Sequence, residues 1–224
     1  MTMLSSLELI RRVPLFSMLT DAQAVSVADA VVKRRFKRGE VIVEQGKKTN
    51  ALFILLNGRA RVITSDSRGR EVILATLRPG DHIGEMSLID NEPHSATVRA
   101  EVQTDVLMLG RPEFARCLPE NSSMAYAVMC GLVQRLRQAD RKIESLALMD
   151  VYGRVARALL EFAVEEGDGT LLIRERLSRQ DIAKMVGASR EMVSRVMKDL
   201  EERGFIQTQD DGAIAVKDRL TTLN

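Results

Sequence analysis

Cysteine and histidine are nearly absent from this 224-residue sequence, with two of each. Cys117 and Cys130 are too few for a four-thiolate cluster and form no C-x-x-C, so they are expected to be buried thiols and no iron-sulfur cluster is expected. His82 and His94 stand in no H-E-x-x-H, and the sequence holds no G-x-S-x-G and no G-x-x-x-x-G-K-[ST]. Hydrolase and P-loop chemistry therefore lack their residues, and neither a catalytic residue nor a metal site is expected. No window approaches the ~18 uncharged apolar residues of a membrane span. Near the start, Glu8, Arg11 and Arg12 occupy the place of a signal peptide's apolar core. A cytoplasmic protein without a membrane partner is the expectation. An excess of one charge is missing as well. Residues 1–150 carry 21 basic and 18 acidic side chains (21 − 18 = +3), residues 151–224 carry 12 and 13 (12 − 13 = −1), and the sum is +2. Nucleic-acid binding would have to come from a local patch.

What is present falls into three pieces. Between Phe36 and Leu109 glycines recur at 39, 46, 58, 69, 80 and 84. Between them run the β-forming stretches "EVIVEQ", "ALFILL", "RARVITS", "EVILATL" and "TDVLML". Short strands with a turn about every ten residues predict an antiparallel barrel or sandwich of roughly eight strands. "SDSRGRE" at 65–71 reads as a hairpin turn.

Further on, apolar residues fall at Ala125, Met129, Leu132, Leu136, Ala139, Ile143 and Leu146, at intervals alternating four and three. Three filled heptads predict a coiled-coil seam between two copies, the plain alternative being a helix packed only on its own domain. In this register a parallel dimer sets Arg135 of one chain beside Asp140 of the other.

The last piece opens with Asp150 as a helix cap over 151–166, closed by "EEGDGT" at 165–170. Ser178 then caps a helix, with Asp181 in the third position after it, that buries Ile182, Ala183 and Val186 and stops at Gly187. A second helix from Arg190 keeps Val193, Val196, Met197 and Leu200 inward as far as Gly204, and "FIQTQDDGAIAV" reads as a hairpin behind the pair. Arg190, Glu191, Ser194, Arg195 and Lys198 lie opposite the apolar row. Arginine can donate twice to a guanine edge and glutamate can accept from cytosine, so this face suits the major groove. A merely solvated face, with Glu191 paired to Arg195, is the alternative.

On "FKRGEVIVEQG", "LFILLNGRARV", "LRPGDHIGEMSLI", "LALMDVYGRVARALLEFA" and "SRQDIAKMVGASREMVSRVMKDLEERGFI", the chain resembles the cyclic AMP receptor protein/FNR (CRP/FNR) family of bacterial transcription regulators along nearly its whole length. The resemblance implies an α+β chain in three parts. These are an antiparallel β-roll of the cyclic nucleotide-binding fold at 1–120, a dimerisation helix at 121–149, and a winged helix-turn-helix at 150–224. It implies a homodimer that reads a two-fold symmetric, TGTGA-like DNA site and recruits RNA polymerase. Ser178, Arg179, Gln180, Ser189, Arg190, Glu191, Ser194, Arg195 and Lys198 become the DNA-binding set, with the family's R-E-x-x-x-R on Arg190, Glu191 and Arg195.

The resemblance also gives "GEMSLIDNEPHSATVRA" at 84–100 a role, that of the family's phosphate-binding cassette. Gly84, Glu85 and Ser95 match its pattern, and Met86, Ser87 and Ala96 lie within it. His94, however, stands where an arginine holds the cyclic phosphate, and Ala139-Asp140 replaces the Thr-Ser pair that contacts adenine. A neutral histidine offers one donor and no fixed charge. Cyclic AMP binding is therefore expected to be weak, and cyclic di-GMP is the favoured effector, with Arg137 and Asp140 of "RQAD" suited to guanine and phosphate edges. "RPGD" at 78–81 has the same Arg-x-x-Asp form and also a plain use as a turn. An effector-free regulator with a vestigial pocket, and a nucleotide-sensing module that acts on a protein partner, are the alternatives.

Overall fold

The computed structural model describes residues 6–16, 19–120, 122–166, 171–209 and 212–217. The chain divides into two compact units, Met1–Leu136 and Arg137–Asn224.

In the first unit, α1 (Ser6–Arg12) and α2 (Asp21–Ala30) precede eight strands. The strands are β1 (Val32–Phe36), β2 (Val41–Val43), β3 (Ala51–Asn57), β4 (Ala60–Ser65), β5 (Glu71–Leu77), β6 (His82–Ile83), β7 (Thr97–Ala100) and β8 (Thr104–Gly110). A short helix, α3 (Glu85–Asp90), lies between β6 and β7, and α4 (Arg111–Glu120) follows β8. The strands form two antiparallel four-stranded sheets, ordered β1-β8-β3-β6 and β2-β7-β4-β5, in keeping with the expected β-roll. Ser65 pairs with Glu71, so the hairpin turn falls where the sequence set it.

The run "ALFILL" is buried on both faces for a reason its alternation explains. Successive side chains of a strand point to opposite sides. Leu52 and Ile54 join the core made with α1, α2 and α4, whereas Phe53 and Leu55 join the core enclosed with the other sheet. A central strand covered on both sides thus reads as continuous apolar sequence. Gly58, at φ +91°, turns β3 into β4 where a Cβ would lie 2.5 Å from the Gln103 carbonyl oxygen, so only glycine fits.

Helix α5 (Ser122–Leu148) runs through the boundary of the two units. Cys130 is exposed on it, against the expectation of a buried thiol, because it faces away from the row that packs on the unit's core; the Cys117 side chain lies outside the described residues. In the second unit α6 (Val151–Phe162) is capped by Asp150, whose Oδ1 accepts from Gly153 N at 2.8 Å. This helix ends four residues before the expected 166, since Val164–Glu165 extend into a strand, β9. That strand and β10 (Leu171–Ile173), neither foreseen in the sequence, join the anticipated hairpin β11 (Ile206–Thr208) and β12 (Ile214–Val216) in a sheet ordered β11-β12-β10-β9. Between β10 and β11 stand α7 (Arg179–Val186) and α8 (Arg190–Glu202). Val155, Ala156 and Leu159 from α6 meet Ile182, Val193, Met197 and Leu200 in one core.

Candidate functional site

The 84–100 stretch begins where β6 pairs with β3, Ile83 opposite Phe53 and His82 opposite Ile54. Gly84, at φ +96°, starts α3 at a place where a Cβ would lie 2.6 Å from the Ala51 carbonyl oxygen. A side chain there would collide with backbone. The turn drives Glu85 inward until its carboxylate is 1% exposed. Glu85 Oε1 accepts from Arg135 Nη1 of α5 at 2.5 Å, and Arg135 Nη2 donates to the His82 carbonyl oxygen. Burial raises the Glu85 pKa against the opposing pull of Arg135. His82, packed so that a Cβ on Gly131 would lie 2.8 Å from its Cε1, has its pKa lowered to about 4 by burial and then by the Arg135 charge. His82 Nε2, Glu85 Oε2 and Ser87 Oγ are buried without a hydrogen-bond partner.

Met86 is exposed, while Ser87 and Leu88 are buried. The far end of α3 is held by Arg111, whose Nη2 donates to the Ser87 carbonyl oxygen at 2.9 Å and whose Nη1 donates to that of Leu88 at 3.1 Å. A guanidinium on the last carbonyls of a helix satisfies acceptors that the helix leaves open.

Ten residues on, His94 is fixed from three sides. Its N–H donates to the Lys47 carbonyl oxygen and its own carbonyl oxygen accepts from Gly46 N, both at 2.9 Å. Its Nε2 lies 2.7 Å from Thr49 Oγ1. Burial lowers the His94 pKa, so the ring is neutral at neutral pH. Ser95 is exposed beside it and Ala96 is buried.

Arg137 and Asp140 are exposed on α5. "RPGD" is a turn, in which Asp81 Oδ2 accepts from Arg78 N at 2.8 Å and Gly80 N donates to the Leu55 carbonyl oxygen at 2.8 Å. Two expectations for α5 change. Arg135 is engaged by Glu85 of its own chain, so it is not the free partner that the heptad register assigned to Asp140. Ala125 and Leu132 are half-buried, Leu132 against the core of its own unit. The rest of the expected row, Met129, Leu136, Ala139, Ile143 and Leu146, is exposed, and Tyr126 and Val133 add to it beside Met129.

In the second unit, Ser178 Oγ accepts from Asp181 N at 3.0 Å and Ser189 Oγ accepts from Met192 N at 3.2 Å, starting α7 and α8. Gly187, at φ +64°, makes the turn between them. Val193, Val196, Met197 and Leu200 are buried, which leaves Arg190, Glu191, Ser194, Arg195 and Lys198 exposed on the other side. Ser178 and Gln180 are exposed, and Arg179 is half-buried 4.0 Å from Glu201. Ser194 Oγ donates to the Arg190 carbonyl oxygen at 2.9 Å, and Lys198 lies 3.5 Å from Glu202. The Glu191 pKa is lowered, chiefly by backbone hydrogen bonding at the helix start. The first two turns of α8 thus present two guanidiniums and an ionised carboxylate at the positive end of a helix.

Comparison with known proteins agrees with both halves. Residues 33–121 match the cyclic nucleotide-binding domain and residues 153–220 match the Crp-like helix-turn-helix domain. The chain belongs to the CRP/FNR family. This family member is 35% identical over 186 residues to the cAMP-activated global transcriptional regulator Vfr of Pseudomonas aeruginosa, covering 79% of this chain and 86% of Vfr. It is 31% identical over 178 residues to the cAMP-activated global transcriptional regulator CRP of Escherichia coli O157:H7, covering 77% of this chain and 83% of that one. Its fold is similar to that of the c-di-GMP responsive global regulator CLP of Xanthomonas campestris, at TM-score 0.76 and 24% identity over 88% of this chain and 98% of that one. CRP/FNR proteins are DNA-binding transcription regulators and not enzymes, so this one is a regulator carrying a cyclic nucleotide-binding domain.

Two residues beside the 84–100 stretch were not singled out in the sequence as part of a site. Thr49 sits 45 residues before His94 and has no motif of its own. His82 carried a usable signal, because the only two histidines of the chain fall within thirteen residues.

Proposed function

We propose that the chain is a cytoplasmic homodimeric transcription regulator in which residues 1–120 sense a cyclic nucleotide, 121–149 join the two copies, and 150–224 read DNA. The observation that carries the DNA half is the exposed group Arg190, Glu191 and Arg195 at the capped start of α8. Arginines there can reach guanine O6 and N7 and the glutamate can reach cytosine N4, on a two-fold TGTGA-like site with half-sites about one helical turn apart. Ser178, Arg179, Gln180, Ser189, Ser194 and Lys198 surround that group as contacts to the backbone or flanking bases. The exposed row Met129, Val133, Leu136 and Ile143 supports a two-stranded seam with a second copy of α5. RNA polymerase is the partner through which promoter output changes.

Cyclic di-GMP is the favoured effector, held by Gly84, Glu85, Met86, Ser87, His94, Ser95 and Ala96 together with Arg137 and Asp140. The Arg137 guanidinium and the Asp140 carboxylate suit guanine and phosphate edges. The similarity in fold to CLP, the c-di-GMP responsive global regulator of Xanthomonas campestris, supports the choice. Cyclic AMP is the second reading, favoured by the cAMP-activated relatives Vfr and CRP.

The test is binding to a palindromic TGTGA-type duplex at fixed salt, with cyclic AMP, with cyclic di-GMP and with neither. A change of roughly 5- to 150-fold with cyclic di-GMP alone is expected, the range of ordinary allosteric coupling. The same change with cyclic AMP alone selects the second reading. Equal, tight binding in all three would refute effector control, and failure to select this duplex over random DNA would refute direct reading.

A further inference from the structure

We propose that His94 anchors the phosphodiester of the effector by taking up a proton as the ligand binds, so that the roll holds an anionic cyclic nucleotide more tightly as the pH falls. This rests on the cyclic-nucleotide reading above. The position of the ring is not adjustable. Two backbone hydrogen bonds tie His94 to the 46–47 turn, and Thr49 Oγ1 occupies its Nε2 at 2.7 Å. One ring nitrogen, Nδ1, is left for a ligand.

A phosphodiester oxygen accepts hydrogen bonds and donates none. A ring already bonded at one nitrogen serves it best when both nitrogens carry hydrogen, which is the imidazolium form. Thr49 makes that change easy to accommodate, since a hydroxyl donates to a bare nitrogen and accepts from a protonated one, and the 2.7 Å contact survives either way. Protonation thus turns a neutral ring with no fixed charge into a cation with a free N–H.

The charged neighbours leave this titration to the ligand. On the segment packed against the ring, Glu44 and Lys47 pair with each other at 2.7 Å and Lys48 is exposed. On its own segment Asp90 and Glu92 are exposed, with Asp90 Oδ1 accepting from Glu92 N. Burial alone accounts for the lowered pKa of the free ring. A phosphate at contact distance acts in the opposite sense, by favouring the charged form. Between the burial-lowered value of the free protein and the raised value of the complex, binding takes up a proton and affinity rises by up to about tenfold for each unit the pH falls.

Calorimetric titration of the full chain with cyclic AMP and with cyclic di-GMP, from about pH 8 to about pH 5.5 where histidines titrate, tests this. The native protein should gain on the order of ten- to a hundredfold in affinity for its nucleotide over that span. Its binding heat should vary with the ionisation enthalpy of the buffer, as proton uptake requires. His94→Arg should bind tightly with a flat profile, and His94→Gln weakly with a flat profile. A flat native profile, or a slope that survives in His94→Gln and so belongs to Glu85 or another group, overturns the proton anchor and leaves the nucleotide reading in place. Failure of both nucleotides to bind native protein and His94→Arg at every pH overturns both.

Discussion

Replacing Arg135 by alanine strips the inward carboxylate of Glu85 of the guanidinium that compensates it. Glu85 Oε1 would lose its 2.5 Å partner, its Oε2 has none already, and the His82 carbonyl oxygen would lose a donor. Breaking a fully buried pair from one side costs about 3–5 kcal/mol. Arg135 is 35% exposed and its charge is partly screened by water, so a loss of about 1–3 kcal/mol at neutral pH is the expectation.

The pH dependence fixes the cause. The folded-state pKa of Glu85 lies above its ordinary value, so the folded form binds a proton more readily than the unfolded chain does. Stability tied to this group is then full at low pH and is lost as the pH rises through the raised value. Without Arg135 the value climbs further. The deficit of Arg135→Ala relative to native protein should therefore widen from acid to neutral pH. Denaturant unfolding followed by circular dichroism at fixed protein concentration measures it, and adding Glu85→Gln to Arg135→Ala should recover most of the loss at neutral pH. An equal deficit at acid and neutral pH, or no recovery in the double variant, would refute the view that an uncompensated carboxylate is the source.

Arg190→Ala should weaken binding to the specific duplex by about 1–3 kcal/mol and relax selectivity at one base pair, as read by competition among single-base variants; equal loss on every sequence would show a phosphate contact instead. Met197→Ala, at a fully buried position in the C-terminal core, should cost about 2–5 kcal/mol of that unit's stability in thermal unfolding. Leu136→Glu should shift the protein from dimer to monomer in sedimentation at micromolar concentration, whereas a persistent dimer would place the seam elsewhere than on α5. Gly58→Ala should lower stability by about 1–3 kcal/mol, because alanine there meets the Gln103 carbonyl oxygen at a left-handed φ.

Much of the molecule was legible from local periodicity. Alternation and glycine spacing announced the strands of the roll, "ALFILL" among them. The intervals of Ile182, Val186, Val193 and Met197 with the glycine turn between them announced α7 and α8, together with the face that α8 leaves exposed. Each of these signals is carried within a turn or two of chain, where sequence spacing maps directly onto a face. The short strands β9 and β10 escaped because two or three residues are too few to establish a period.

The cassette was legible only in outline. Gly84, Glu85, His94 and Ser95 stood out as a pattern, but what each touches depends on segments 45 to 50 residues away. Arg135 looked like a seam residue paired across two helices, and closure of the roll gave it instead to Glu85 and to the His82 carbonyl oxygen. His94 looked like a vacancy for charge, and folding supplied Thr49 and two backbone clamps. The heptads of α5 announced the apolar row, while packing against its own unit takes Leu132 partly out of it. Sequence by itself determined the elements and the faces they offer, because propensity and period are properties of neighbouring residues. Only the tertiary structure decided the pairings, because a buried carboxylate or imidazole takes whichever partner the closed fold brings within reach.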